Sequence, residues 1–139
     1  MFNRILVAVD GSESSTRAFE TAIELAVLTH GALIALAVEG PLPAYAATIG
    51  EVEEVKREKD AFFGGLLSGV RKRAAAAGVP LETELRPGHA SELIVRAAAE
   101  HEADLIVLGH KGHFLRDHLL GSTADRVSEH AHCPVLIVR

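Results

Sequence analysis

Residues 4–9, RILVAV, are apolar almost without interruption and end at Asp10-Gly11-Ser12. A β-branched run of this length, stopped by turn residues, predicts a strand covered on both faces. ALIALAV at 32–38, DLIVL at 104–108 and PVLIV at 134–138 read the same way. PLETEL at 80–85 differs: polar and apolar residues alternate, as in a strand at a sheet edge.

Between the strands the period becomes helical. Over residues 14–29, Ala18, Ala22, Ile23, Leu25, Ala26 and Val27 recur at helical spacing, with Ser12 or Ser14 available as cap and Gly31 as the stop. Residues 51–77 carry a longer pattern that Gly64, Gly65 and Gly69 weaken in its middle and Gly78 ends. Residues 89–103 predict a third helix with Leu93, Ile94, Ala97 and Ala98 inward, and 122–131 a fourth. EGPLPAYAATIG at 39–50 is the longest loop, since its prolines and glycines oppose regular structure.

Strict alternation of strand and helix predicts a parallel sheet with helices on both faces and right-handed crossovers. The three most apolar early strands, first, second and fourth, belong in the centre and the amphipathic third at an edge. The resulting order is 3-2-1-4-5, which reverses direction between the first and fourth strands. Ligands of open sheets bind beyond the carboxyl ends of the strands at such a reversal. Asp10-Gly11-Ser12 and Gly109-His110-Lys111-Gly112 are the two ends that meet there.

Those two loops carry the candidate chemistry. Gly109 and Gly112 let the main chain turn tightly and point N–H groups at an anion. Gly121, Ser122 and Thr123 open the last helix, whose N-terminal dipole and unpaired amides suit phosphate. Lys111 and Arg116 would add positive charge, and Asp10 is placed to accept from a ribose hydroxyl or to help hold a metal ion. Val9, Val38 and Leu108 are placed to sandwich a purine. Each feature has a plainer reading as well: glycines for packing, Ser122 and Thr123 as a helix cap, Asp10 as the cap of the first helix. Their convergence on two facing loops is what points to a ligand.

Composition narrows the field. At 139 residues, 48% hydrophobic and 24% charged, the sequence reads as one globular domain over 1–139 that needs no metal or disulfide to form a core. A net charge of −5 excludes a nucleic-acid footprint. Residues 25–38 are the longest charge-free stretch and fall short of the ~20 apolar residues of a membrane span. With no signal-peptide pattern at the start, and with Cys133 alone and unable to form an internal disulfide, a cytoplasmic location is expected. Cys133 reads as an inert, half-buried thiol.

His110, His113 and His118 share a loop, and His130 and His132 flank Cys133, but no compact zinc-ligand spacing is present. No metal site is therefore expected. A receiver would need an acid after the third strand, which ends LRPGH; a Walker loop would need Gly-Lys-Ser or Gly-Lys-Thr; both are missing. Nothing fixes a base within reach of a nucleophile, so slow turnover of a bound ligand is the most catalysis expected.

Three segments, ILVAVDGSESSTRAF, GHASELIVRAAAEHEADLIVLGHKG and LLGSTADRVSEHAHCPVLIV, together resemble the universal stress protein family, small α/β proteins many of which bind ATP. The resemblance runs from the first strand to the last residue and weakens between residues 40 and 75. It implies the three-layer, open, parallel five-stranded sheet of Rossmann-like, adenine nucleotide alpha hydrolase-like proteins. It also implies a homodimer through the last strand, residues 134–138, and nucleotide held at G-x2-G-x9-G-[ST].

On that resemblance Asp10, with Ser12 beside it, corresponds to the acid that contacts the sugar, and Ala8 and Val38 to the adenine pocket. Leu108 precedes the phosphate-binding positions Gly109, Gly112, Gly121 and Ser122, and Thr123 follows them. One departure stands out. Eight residues, HFLRDHLL, separate Gly112 from Gly121 where the family pattern has nine. One residue spans about 3.5 Å, so the shortening is either absorbed within the segment or displaces the cradle. The expected function is an ATP-binding, homodimeric stress-response regulator, using Mg2+ with the nucleotide and contacting an unidentified protein partner. The alternative is an interaction module of the same fold that no longer binds nucleotide.

Overall fold

A computed structural model of the chain describes residues 1–40, 48–110 and 121–139. Nine elements alternate without exception among them: β1 (Arg4–Ala8), α1 (Glu13–Thr29), β2 (Ala32–Glu39), α2 (Ile49–Ala77), β3 (Leu81–Pro87), α3 (Ala90–Glu100), β4 (Leu105–Gly109), α4 (Ser122–His130) and β5 (Val135–Val138). The strands form one parallel sheet in the order β3-β2-β1-β4-β5, the order expected from their polarity.

Strand periodicity divides the core in two. Ile5 and Val7 of β1, Leu33 and Ala35 of β2 and Val107 of β4 face α1 and α2. Leu6, Ile34, Leu36, Ile106 and Leu108 face α3 and α4. Leu6, Ile34 and Ile106 are at most 2% exposed and adjoin one another across the ladder. Each side chain of this size contributes about 1.5–3 kcal/mol by leaving water. Residues of β3 and β5 are only partly covered, as edge positions dictate.

Several element boundaries depart from the sequence pattern, four of them for reasons the packing shows. α1 closes on His30, which adopts φ 55°, while the predicted stop Gly31 serves packing: a Cβ there would lie 2.5 Å from the Phe2 carbonyl oxygen. β2 runs one residue into the predicted loop, to Glu39, and β3 runs to Pro87, because the pairs Val38↔Arg86 and Glu39↔Pro87 extend their ladder. α2 begins at Ile49, capped by the Thr48 hydroxyl, which accepts from the Glu51 N–H at 3.1 Å. It then continues through all three glycines. Buried Phe63, Leu67, Val70 and Ala74, at spacings of four, three and four, fasten it to the core and outweigh the weak helix propensity.

Candidate functional site at the β1–β4 reversal

β1 and β4 end side by side, and the chain leaves them toward opposite faces of the sheet. Beyond these ends lies a cleft of about 390 Å³, within the usual size range of small-molecule sites. Its apolar wall comes from the strand positions on the α3/α4 side, among them Ala8, Leu36, Val38 and Leu108, with Ile94 and Ala124 from the two helices. Val9 also borders the cleft, but its side chain is 4% exposed and belongs to the opposite core. Val9 is expected to flank a purine with Val38 and Leu108; its side chain packs into the core on the other face of the sheet, because successive strand residues face opposite ways.

The first loop is held by its own hydrogen bonds. Ser12 N–H donates to Asp10 Oδ1 at 2.9 Å, and Asp10 N–H donates to the Ser15 hydroxyl at 3.2 Å. Ser12 Oγ accepts from Ser15 N–H at 3.1 Å and is the cap of α1. Asp10 is therefore not the helix cap. Its carboxylate is anchored in the loop at the cleft wall, and Ser12 and Ser15 line the cleft beside it.

Across the cleft, Gly109 and Gly121 lie on the wall with Thr123. The ends of the glycine-rich segment are tied together: Gly121 N–H donates to the His110 carbonyl at 2.7 Å, and His110 N–H donates to the Val138 carbonyl at 2.9 Å. The Gly121 amide is thus committed to closing the loop. The amides that intrahelical bonding leaves over at the start of α4 belong to residues 122–124, and no side chain among the described residues caps them. α3 also opens beside the cleft, at His89, without a side-chain cap, whereas α1 and α2, on the other face, are capped by Ser12 and Thr48.

Of the remaining expected residues, Ser122 is exposed at the first turn of α4 and His110 is half-buried beside the ladder; neither is among the residues lining the cleft. His110 Nδ1 is buried without a hydrogen-bond partner among the described residues. Lys111, Gly112 and Arg116 lie outside the described residues. Gly40, Gly88, His89 and Ala90 line the cleft and were not anticipated. The P-G-H string after β3 was the available signal, since an edge strand ending beside β2 delivers its loop to the same end of the sheet.

Among the described residues no three His, Cys, Asp or Glu side chains come close enough to hold a metal ion. Burial and the Asp104 charge push the Cys133 thiol up, away from reactive thiolate. No helix among the described residues is long and apolar enough to cross a membrane.

The model of the universal stress protein family matches residues 1–139. The chain belongs to this family. Universal stress protein YxiE of Bacillus subtilis (strain 168) is 32% identical over 148 residues, covering 100% of both chains. Universal stress protein UspA from Lactobacillus plantarum superposes with a TM-score of 0.85 at 30% identity, over 99% of this chain and 98% of that one. A universal stress protein solved in complex with cAMP is 30% identical, with a TM-score of 0.76 over 99% and 97% of the two chains. In this universal stress protein the family fold brings an apolar wall, a carboxylate and an uncapped helix start to one cleft.

Proposed function

We propose that this universal stress protein binds an adenine nucleotide in the β1–β4 cleft and works as a homodimeric stress-response regulator, with ATP and its Mg2+ as the ligand. The observation that carries the reading is the pairing of opposites in one cleft. Ala8, Val38 and Leu108 offer a purine an apolar face, Asp10 can accept from ribose hydroxyls, and the uncapped α4 start offers amides and positive dipole to phosphate. The cAMP complex of a relative supports the same class of ligand.

The short Gly112–x8–Gly121 spacing is compatible with this reading, because the His110–Gly121 hydrogen bond holds the ends of the segment together. Holding fits the residues better than cleaving: Ser12 Oγ is engaged as a helix cap rather than paired with a base.

Calorimetric titration with ATP, ADP, AMP and cAMP tests the proposal. Heat with ATP that Gly121→Val abolishes is the expected result. No heat with any nucleotide would leave the same fold acting through protein contacts alone.

A further inference from the structure

Besides Gly50 in its first turn, α2 contains three interior glycines that neither the core nor the cleft demands. A Cβ on Gly64, Gly65 or Gly69 would meet nothing within 4 Å. No close approach requires glycine there, and glycine inside a helix makes local unwinding easier.

The halves of α2 on either side of Gly64 and Gly65 are anchored differently. Behind them Leu67, Val70 and Ala74 are set into the core shared with α1. Phe63, next to the glycine pair, still sits in that core, but ahead of it only Val55 is buried, while Ile49 is 81% and Phe62 49% exposed. The front half instead touches the main chain of the cleft. Lys59 Nζ donates to the carbonyl of Gly40, a cleft-lining residue, at 2.8 Å. The tip of the Phe62 ring lies 2.9 Å from where a Cβ on Gly11 would stand, against the turn between cleft-lining Asp10 and Ser12.

We propose that the front half of α2, residues 49–63, is an arm hinged at Gly64 and Gly65, and that its docking reports occupancy of the cleft through Lys59 on Gly40 and Phe62 on Gly11. The inference rests on the nucleotide reading above. A ligand that steadies the ends of β1 and β2 steadies both surfaces on which the arm lands. Docking and binding therefore favour each other, and linkage makes the two effects equal in factor. The arm carries Glu51, Glu53, Glu54, Lys56 and Arg57, so its position alters a charged surface that a partner protein can read.

Amide hydrogen exchange on the full chain, with and without saturating ATP, reads the arm directly. Without nucleotide, residues 49–63 should exchange about tenfold faster than 66–77, as a locally opening unit does. ATP should slow 49–63 by about threefold or more, the scale of a modest coupling, and leave 66–77 unchanged. Gly64→Ala with Gly65→Ala should slow the arm without nucleotide and tighten ATP binding by the same factor. Phe62→Ala, which leaves the hinge in place, should quicken the arm and weaken ATP. Equal exchange in the two halves, or ATP bound with no slowing of 49–63, overturns the proposal. Calorimetry on the same samples separates the failures: no ATP heat removes the nucleotide reading and the coupling together, and heat with an unchanged arm removes the coupling alone.

Discussion

A Cβ on Gly109 would stand 2.2 Å from Ser14 Oγ and 2.7 Å from the Ser14 carbonyl carbon. The backbone of α1 is pressed against the end of β4, so this glycine is needed for packing whatever the cleft holds. Gly109→Ala should therefore destabilise the ligand-free protein by about 1–3 kcal/mol, the usual cost of overpacking, in a urea titration. Unchanged stability would mean that α1 moves aside at no cost. Asp10 separates the two demands in the other direction. Asn keeps a side-chain oxygen to accept from Ser12 N–H but loses the charge. Asp10→Asn should leave stability within about 0.5 kcal/mol and weaken ATP about tenfold, as expected when a charge-assisted hydrogen bond becomes a neutral one. Equal ATP affinity in a calorimetric titration would take Asp10 out of the sugar contact. Asp10 and Gly109 were both legible from their places after apolar strands. Which way Val9 faces was less so, because one step along a strand exchanges the two cores.

At the scale of elements, the order of strands could be read from polarity alone, since a strand covered on both faces has no room for the charges that β3 carries. What could not be read was the pairing across strands. β3 reaches Pro87 only because β2 continues beside it to Glu39, and that extension brings Gly88 and His89 to the cleft. No local pattern encodes it. The charges of β3 are organised against α3: Arg86 Nε donates to Glu84 at 2.7 Å, Arg86 also binds Glu100 at 2.7 Å, and the His101 ring lies 2.5 Å from Glu84. Burial pushes the Glu84 carboxyl up, but hydrogen bonds from His101 and Arg86 and their charges outweigh it, leaving it below the usual glutamate range. A carboxyl lowered in the folded state contributes stability that is full above the ordinary glutamate range and is lost as pH falls through its folded value. Glu84→Gln should accordingly be less stable than the parent at pH 7, with the gap closing on acidification. Urea titrations across pH 7 to 3 check this, and a gap that stays constant with pH would show that the carboxylate charge is not what holds β3 to α3.

For the whole molecule the two sheet edges are the unequal parts. β3 sets Glu82, Glu84 and Arg86 along one edge, and charge of this kind keeps an edge from recruiting another strand. β5 is VLIV, with no charge, and the ladder to β4 satisfies only one of its sides. Its Val135 and Ile137 pack toward α3 and α4 and its Val138 toward α1, which leaves Leu136, 37% exposed, as the apolar side chain offered outward. A second copy pairing there would cover Leu136 and supply the missing main-chain partners, which is how the proposed homodimer would form. Since Leu136 is already exposed in the single chain, Leu136→Lys should change the stability of the monomer by no more than about 0.5 kcal/mol. In a dimer it would set two lysines against one another at the seam. Sedimentation at micromolar concentration should therefore show the parent as a dimer of the 14.8 kDa chain and Leu136→Lys as a folded monomer. A parent that sediments as a monomer would leave β5 as an ordinary short edge, and a variant that remains dimeric would place the contact on some other face.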